Sequence, residues 1–392
     1  MFQLSPKRPA AANALYKRIA DILESARVGV ARTVNTTQVL ANWLIGREIV
    51  EAEQSGRKRA KYGDELIREL AQRLSEKFGR GYSPDNLFWF RRFYVDFPAL
   101  LKGTTFDPAS PNSGQSAIVD AVRQISEVAK TSTSQAQQSE HGGPLPSQPW
   151  HPGLLNPNLS WTHYRTLLRV DLPEARSFYE IEASENRWSA RELERQINSL
   201  LYDRLAASKD KKGVLRLAQK GQEITAPLDV FKDPLVLEFL KIPAAQKLAE
   251  SDVEKALLSQ LQSFLLELGK GFAFVSRQQR ITIEGDHFYV DLVFYHTVLK
   301  CYVLVDLKVG KLTHQDLGQL QLYVNYYDRE RLTPGDQPTL GLILCTDKND
   351  AVVRYTLGPD QEQRIFASRY QLHLPTAAQL RAEIKRELRF LT

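Results

Sequence analysis

The sequence predicts a multidomain α+β protein, in which a helical N-terminal region precedes a C-terminal domain built on a mixed sheet. Three observations favour this class: a length of 392 residues, helical spacing of apolar residues in the first half, and alternating strand-like runs in the last third. Four segments are expected. They are helical residues 1–102, a linker or insertion at 103–158, a helical continuation of the first segment at 159–225, and the sheet domain at 226–392.

The first segment carries helical spacing and one clear helix start. Leu66, Leu70 and Leu74 recur one helical turn apart. Further on, Ser83 is a suitable N-cap, and Pro84 fits the first helical position because that position leaves its N–H unpaired in any case. Two glycines just before Ser83 predict a turn from the preceding helix.

Residues 103–150 differ in composition from the segments on either side. They are rich in Ser, Thr, Gln, Gly and Pro and poor in aromatic residues, which is typical of a mobile linker or a large insertion. A short helix over residues 118–128 fits the pattern. Helical patterns then resume, and Ser189 with Glu192 three residues on has the form of a capping box.

Positive charge is concentrated at the N-terminal end of the chain. The first 102 residues contain 18 Lys and Arg against 11 Asp and Glu, whereas residues 226–392 contain 20 against 21. Such an excess can attract a polyanion through counterion release. A solvated helical surface explains it equally well.

Membrane, secreted and zinc-binding proteins are disfavoured by the sequence. No stretch approaches the ~18 continuous apolar residues of a membrane helix, and the N-terminus lacks the apolar core of a signal peptide. We therefore expect a cytoplasmic protein without a membrane partner. The two cysteines, Cys301 and Cys345, lie in apolar strand-like runs and are predicted to be buried rather than to bind zinc.

The pattern changes from residue 252 onward. One amphipathic helix is predicted up to Gly269, and three strand-like runs follow, with turns at Gly285–Asp286 and Val298–Leu299. A helix over residues 312–330 and a strand over 339–348 come next, with a further strand near the C-terminus. The order α-β-β-β-α-β indicates a mixed domain.

Two carboxylates and an amine fall at facing positions of the second hairpin. Because strand side chains alternate between faces, Asp306 and Lys308 share one face of their strand. The predicted turn sets Asp291 opposite Asp306, with ~5 Å between Cβ atoms. The preceding strand places Gln278 and Arg280 on the same face as Asp291. The residues expected on one face of the middle strand are Tyr289, Asp291, Val293 and Tyr295.

Aspartates in the middle of apolar strands are costly to bury unless something neutralises them. Two carboxylates with waters suit Mg²⁺, which can activate a water and neutralise charge on a phosphate. Lys308 could orient that water or stabilise the transition state. The simpler alternative is a structural Asp306–Lys308 ion pair, since a single strand aspartate usually faces solvent.

The spacing of these residues resembles that of the PD-(D/E)xK nuclease superfamily. Asp291 is followed by Asp306-Leu307-Lys308, and Gln319 with Tyr323 is similar to the QxxxY motif of the RecB and lambda-exonuclease branches. Residues 269–330, and in the N-terminal half residues 62–87 and 159–170, resemble the YhcG family more closely still. The resemblance covers most of the chain apart from residues 103–150.

The resemblance implies a metal-dependent nuclease that uses Mg²⁺ or Mn²⁺. The residues that it assigns to catalysis are Asp291, Asp306, Lys308, Gln319 and Tyr323. The metal ligands that it implies are Asp291, Asp306 and, from the first helix of the domain, Glu254, with Glu267 as a weaker match. Val290 stands where the motif's name has a proline, a departure that does not affect the metal.

The resemblance also implies double-stranded DNA as the substrate of an endonuclease, in a bacterial defence or mobile-element setting. The candidate nucleic-acid-binding residues are Gln278 and Arg280 in the sheet domain, and Asn86, Trp89, Arg91 and Arg92 on the helix from Pro84. The glycine-containing turn before this helix suits a helix-turn-helix. Alternatively, its aromatic residues simply pack a helical bundle.

Two other functions stay open at this point. One is a catalytically silent DNA-binding or interaction module with a nuclease fold, which the intact Asp291, Asp306 and Lys308 disfavour. The other is a structure-specific resolvase or an RNase. Homo-oligomerisation is also left open.

Overall fold

The chain folds into two compact units, Met1–Glu194 and Arg195–Thr392. A computed structural model describes residues 15–20, 23, 34–55, 60–101, 150–207, 211–242 and 249–374. Residues 103–149 of the linker or insertion predicted at 103–158, and with them the short helix predicted over 118–128, lie outside the described residues. Within the described part, no helix has both the length and the apolar composition needed to cross a bilayer.

The described part of the first unit is helical. Its helices are α1 (Val34–Ser55), α2 (Ala60–Phe78), α3 (Pro84–Asp96), α4 (Trp161–Leu167) and α5 (Pro173–Glu185), and α6 (Ala190–Asn198) begins in it. A single 3₁₀ turn joins α2 to α3. The predicted start of α3 is confirmed, because the Ser83 hydroxyl accepts a hydrogen bond from the Asn86 N–H at 3.4 Å and Pro84 is the first helical residue.

Helices α1 and α3 approach each other closely at one glycine. A Cβ atom placed on Gly46 of α1 would lie 2.0 Å from the carbonyl oxygen of Phe90, so only hydrogen fits there. Leu87, Phe90 and Phe93 are buried on the same side of α3. The bundle-packing alternative is therefore correct for these three residues, and the outward side of α3 is a separate surface. Near the end of α3, the Trp43 indole N–H donates to the Phe97 carbonyl at 2.8 Å.

The second unit is a six-stranded mixed sheet with helices on both faces. Its helices are α7 (Leu201–Ala207), α8 (Lys211–Lys220), α9 (Glu250–Ser259), α10 (Leu261–Leu268), α11 (His314–Glu330) and α12 (Asp350–Thr356). Its strands are β1 (Leu235–Val236), β2 (Phe272–Ile283), β3 (Asp286–His296), β4 (Cys301–Lys311), β5 (Leu340–Asp347) and β6 (Ile365–Gln371). The strand order is β1-β6-β5-β4-β3-β2.

Strands β2, β3 and β4 form an antiparallel meander, whereas β4, β5, β6 and β1 run parallel. One face of the sheet packs on α9 and α10 through residues such as Leu257 and Phe294, and the other packs on α11 through Leu320 and Val324. The predicted α+β class is confirmed. Cys301 and Cys345 are buried free thiols, as the sequence predicts.

Three local predictions for this unit need correction. The helix predicted up to Gly269 is two helices, because Gln260 leaves helical geometry at φ −122° and ψ 34°. The short strand β1 and helix α12 were not predicted. The alternation along β3 is also interrupted, since Val290 and Val293 both pack against α11. The interruption lies opposite Gln278, whose φ of 44° departs from extended geometry.

A buried glutamate ties the segment after residue 194 to the sheet unit. Glu267 is 0% exposed, and its carboxylate accepts hydrogen bonds from Arg204 at 2.5 Å, from Arg195 at 3.3 Å and from the Val236 N–H at 2.8 Å. The compact units divide after Glu194, so both arginines lie in the same unit as the charge that they neutralise. The change of domain that the sequence pattern predicts at 225/226 stays a prediction.

Candidate active site

The two predicted aspartates face each other across β3 and β4. Leu292 pairs with Val305 in the antiparallel register, which sets residue 291 opposite residue 306. The Asp291 carboxylate accepts a hydrogen bond from the Leu307 N–H at 2.8 Å, so it is fixed against β4. Asp306 is 6% exposed, and no hydrogen-bond donor among the described residues contacts its side chain. Its oxygens are therefore available to a ligand.

Gln278 on β2 links Asp291 to helix α9. Its side-chain amide donates to Asp291 Oδ1 at 2.9 Å and to Glu254 Oε2 at 2.8 Å. The Gln278 amide thus bridges Asp291 and Glu254, the residue of the first helix that is predicted to bind the metal. Arg280 is exposed opposite Tyr289, and no hydrogen bond or ion pair joins it to either aspartate.

Lys308 lies between carboxylates that come from two different helices. Its Nζ is 3.1 Å from Asp316 Oδ1 on α11 and 3.4 Å from Glu250 Oε1 on α9. Glu250 also accepts a hydrogen bond from the Val309 N–H at 3.2 Å. The simple alternative of an Asp306–Lys308 pair is not what the structure shows, because the ammonium is directed to Asp316 and Glu250 instead.

Gln319 and Tyr323 lie one turn apart on α11, and the Gln319 amide donates to the Tyr323 hydroxyl at 2.5 Å. Tyr323 is buried against the sheet. Burial raises the pKa of its phenol, and the charges of Asp306 and Asp291 raise it further. The phenol therefore lies within electrostatic reach of both aspartates, while Gln319 is exposed beside it.

The electrostatics of the site favour a bound cation. Burial raises the pKa of Asp306 to about 8, and the nearby charge of Asp291 adds to the effect. Burial also raises the pKa of Asp291, against the hydrogen bonds from Leu307 and Gln278. Two close carboxylates in a poorly solvated place resist joint ionisation unless a cation neutralises them.

The donor set fits a hard divalent cation. In the part of the chain that the structure describes, no three His, Cys, Asp or Glu side chains form a ready-made metal cage. Mg²⁺ does not require one, because it keeps several waters and is commonly bound by one or two carboxylates together with substrate phosphates. Asp291 and Asp306 supply that minimum, and Glu254 lies next to them through Gln278.

Known proteins match the chain over most of its length. Residues 228–389 match the YhcG PDDEXK nuclease domain, and residues 18–106 and 124–204 match the DUF1016 N-terminal domain. The chain is 35% identical over 386 residues to an Escherichia coli (strain K12) protein named "Putative nuclease YhcG", covering 98% of this chain and 97% of that one. The chain belongs to the YhcG family of PDDEXK nucleases. The resemblance seen in the sequence is confirmed.

Among solved structures, the repair endonuclease from Pyrococcus abyssi is 12% identical to this YhcG-family chain, with a TM-score of 0.23. The match covers 34% of this chain and 50% of that one. That likeness is too slight to carry an argument. The nuclease assignment rests on the matched domain and on the E. coli relative.

In the first unit of this YhcG-family protein, the predicted DNA-contacting residues of α3 are partly engaged with their neighbours. Arg91 pairs with Glu53 at 2.8 Å, and Arg92 pairs with Asp96 at 3.2 Å. Asn86 donates to the Gly81 carbonyl at 3.0 Å and so closes the turn before the helix. The arginine pairs are solvent-accessible and therefore contribute little stability.

Trp89 lies beside two guanidinium groups on the same surface. The Arg92 and Arg165 guanidinium carbons each lie 5.8 Å from its ring centroid. This basic aromatic surface was only partly visible in the sequence, because Arg165 comes from α4. A base or a phosphate could meet an aromatic face and positive charge together there.

Two carboxylates of the candidate active site were not predicted from the sequence, Glu250 and Asp316. Glu250 lies one turn before Glu254, and a spacing of four on an amphipathic helix was the signal that both share a face. Asp316 follows Thr313 by three residues, which is a capping-box spacing. Nothing in the sequence shows that either carboxylate meets Lys308. By contrast Glu267, the weaker candidate ligand, is committed to Arg204 and Arg195.

Proposed function

We propose that this nuclease requires Mg²⁺ or Mn²⁺ and hydrolyses phosphodiester bonds of double-stranded DNA as an endonuclease. The observation that carries the proposal is the placement of Asp291 and Asp306 on facing strands, with the raised pKa of about 8 at Asp306. A bound divalent ion would remove the cost of holding both charges together. We also propose a cytoplasmic location. The family resemblance suggests a bacterial defence or mobile-element setting.

Each side chain has a distinct part in the proposed chemistry. Asp291 and Asp306 would hold the ion, and Glu254 would complete or support its shell through Gln278. When bound, the ion supplies Lewis-acid polarisation of the phosphate and a more acidic water. Lys308 would donate to a phosphoryl oxygen, where negative charge develops in the transition state.

Gln319 and Tyr323 would orient the substrate or the site. The hydrogen bond from the Gln319 amide to the Tyr323 hydroxyl fixes both groups on α11. Gln319 is the more exposed of the two and is therefore the one that DNA can reach. Tyr323 would act by holding Gln319 in place.

The test is a cleavage assay on several nucleic acids. Supercoiled plasmid, linear duplex, single-stranded DNA, branched DNA and RNA are incubated with the full chain, with Mg²⁺, with Mn²⁺ or with excess EDTA. We expect duplex cleavage with either ion and none in EDTA. Undiminished cleavage in EDTA would end the metal proposal, and preference for branched DNA or RNA would move the substrate to the resolvase or RNase alternative.

Asp306→Asn and a matched control identify the site. Asp306→Asn should abolish cleavage and weaken Mn²⁺ binding measured by calorimetry, because the amide loses the charge that attracts the ion. Asp360→Asn changes an exposed aspartate in the turn before β6 and should leave both unchanged. Equal Mn²⁺ binding by the two variants would remove Asp306 from the ligand set.

We extend the proposal to the first unit, where the outward side of α3 would bind DNA. The positive balance of residues 1–102 supports this, and so does the exposure of the arginine pairs. Phosphates can replace carboxylate partners at little cost, since exposed pairs contribute only ~0–1 kcal/mol. Arg91→Gln should weaken DNA binding and reduce its salt dependence, whereas Glu53→Gln should strengthen binding by freeing Arg91. The same direction of change in both variants would contradict a DNA contact at this place.

A further inference from the structure

The ammonium of Lys308 has two carboxylate partners that differ in how firmly they are held. Asp316 is the nearer, at 3.1 Å, and its side chain is 9% exposed. Glu250 is 3.4 Å away, and its side chain is 44% exposed. The better-ordered and closer partner of Lys308 is thus Asp316, on the helix that follows β4.

Asp316 divides its two oxygens between the helix and the lysine. Oδ2 accepts hydrogen bonds from the Thr313 N–H at 2.8 Å and from the Thr313 hydroxyl at 2.6 Å. Oδ1 is left for Lys308. The capping interaction therefore fixes the orientation of the carboxylate, and with it the position that the ammonium takes.

The helix that carries Asp316 is anchored to the sheet. Leu317, Leu320 and Val324 are fully buried against it. A Cβ placed on Gly341 of β5 would come within 2.8 Å of a Leu320 methyl group, so α11 and β5 are in close contact. A lysine on a flexible stem loses its freedom when it binds a group on so rigid a support.

We infer that Asp316 is a positioning residue for the reaction, holding the Lys308 ammonium in place beside Asp291 and Asp306. This inference rests on the proposed nuclease activity. Asp316 does not touch the reacting atoms and acts through Lys308. A role in helix capping alone would leave the cleavage rate of the folded protein unchanged.

Asp316→Asn separates the two roles. The amide oxygen of asparagine can still accept the hydrogen bonds from Thr313, so the cap can persist, while the charge that attracts Lys308 is removed. Asn349→Ala is the control for the loss of a helix cap, because it removes the N-cap side chain of α12 and leaves Thr313, Asp316 and Lys308 unchanged. The two variants should show opposite patterns in stability and rate.

The experiment is a double-mutant cycle on cleavage of duplex DNA by the full chain. Asp316→Asn should lower the single-turnover rate by roughly 10–100-fold, since misplacing a catalytic group by ~1 Å has effects of that size. The Kd for DNA should stay within about twofold, because the change affects the transition state rather than binding. In a Lys308→Ala background, Asp316→Asn should have no further effect on the rate. Asn349→Ala should lower the Tm while the folded protein keeps the wild-type rate.

A second measurement does not depend on activity. Without metal, the rate at which an amine-reactive reagent labels Lys308, followed by peptide mass spectrometry, should rise in Asp316→Asn and stay unchanged in Asn349→Ala. An additive rate loss in the Lys308→Ala background, or a wild-type rate in Asp316→Asn, would overturn the inference while the nuclease proposal stands. If the wild-type chain cleaves nothing with Mg²⁺ or Mn²⁺, the nuclease proposal fails and this inference fails with it.

Discussion

Glu180 in α5 makes the stability of the first unit depend on pH. Its side chain is buried, Oε2 accepts a hydrogen bond from the Gly153 N–H at 2.9 Å, and Oε1 has no hydrogen-bond partner among the residues that the structure describes. Burial raises its pKa from 4.5 to about 8, against the effects of Gly153 and of the Arg176 charge. The folded protein therefore keeps this carboxyl protonated at neutral pH. The perturbation that tests this is Glu180→Gln, which cannot ionise and can still accept from Gly153.

The sign and size of the effect follow from linkage. Because the pKa of Glu180 is raised in the folded protein, its contribution to the free energy of unfolding is fully present below pH 4.5. That contribution is lost as pH rises towards about 8. Each pKa unit corresponds to ~1.4 kcal/mol, which gives ~5 kcal/mol over the whole range and ~3 kcal/mol between pH 4.5 and pH 7. The free energy of unfolding of Glu180→Gln, minus that of the wild type, should rise by ~3 kcal/mol between pH 4.5 and pH 7.

Tryptophan fluorescence reports on this unit selectively, because all five tryptophans lie within Met1–Glu194. Urea unfolding is followed at several pH values between about 5 and 9, and the difference between the variant and the wild type is plotted against pH. The pH-independent cost of the amide shifts this difference by a constant, and the titrations common to both proteins cancel. Glu185→Gln, at an exposed position of the same helix, is the matched control. A difference that is flat across the pH range would refute the protonated buried carboxyl.

Three further predictions concern the site, the network around Glu267 and helix packing. Lys308→Ala should lower the cleavage rate by roughly 10²–10³-fold with DNA binding retained; a wild-type rate in folded variant would exclude this lysine from the mechanism. Glu267→Gln should destabilise the second unit by about 3–5 kcal/mol, because it leaves the buried Arg204 without a carboxylate partner. The loss should be seen as reduced hydrogen-exchange protection in β1 and α10. Gly46→Ala should lower the Tm sharply, because the added Cβ would collide with the Phe90 carbonyl. Gly318→Ala is the control and should raise the Tm slightly, because nothing lies close to its Cβ position. Equal Tm changes in the two variants would contradict the close approach of α1 and α3.

The facing aspartates could be predicted because the information is local. Asp291 and Asp306 belong to one hairpin, and the position of a turn fixes which residues of two antiparallel strands are opposite. The helix start at Ser83 and Pro84 was predictable for the same reason, since capping depends on residues within one turn. The family resemblance then extended the prediction to the fold of the second unit.

The partners of Lys308 could not be predicted because they depend on tertiary packing. Glu250 lies on a helix far earlier in the sequence, and its distance from Lys308 depends on how α9 crosses the sheet. Asp316 is near in sequence, but its capping spacing indicates only a local role. The irregular backbone of Gln278 was hidden for a different reason, because glutamine carries no sequence signal for a positive φ.

The ion-pair network around Glu267 also decides where the polypeptide can be cut. A fragment that begins at residue 226 retains every residue of the candidate active site but loses Arg195 and Arg204, which leaves the buried carboxylate without two of its cations. Engineers who want the catalytic half by itself, for fusion to another targeting module, should therefore start the fragment at or before Arg195. Arg195 and Arg204 precede the matched nuclease domain in the sequence, yet they supply counterions to a carboxylate inside it.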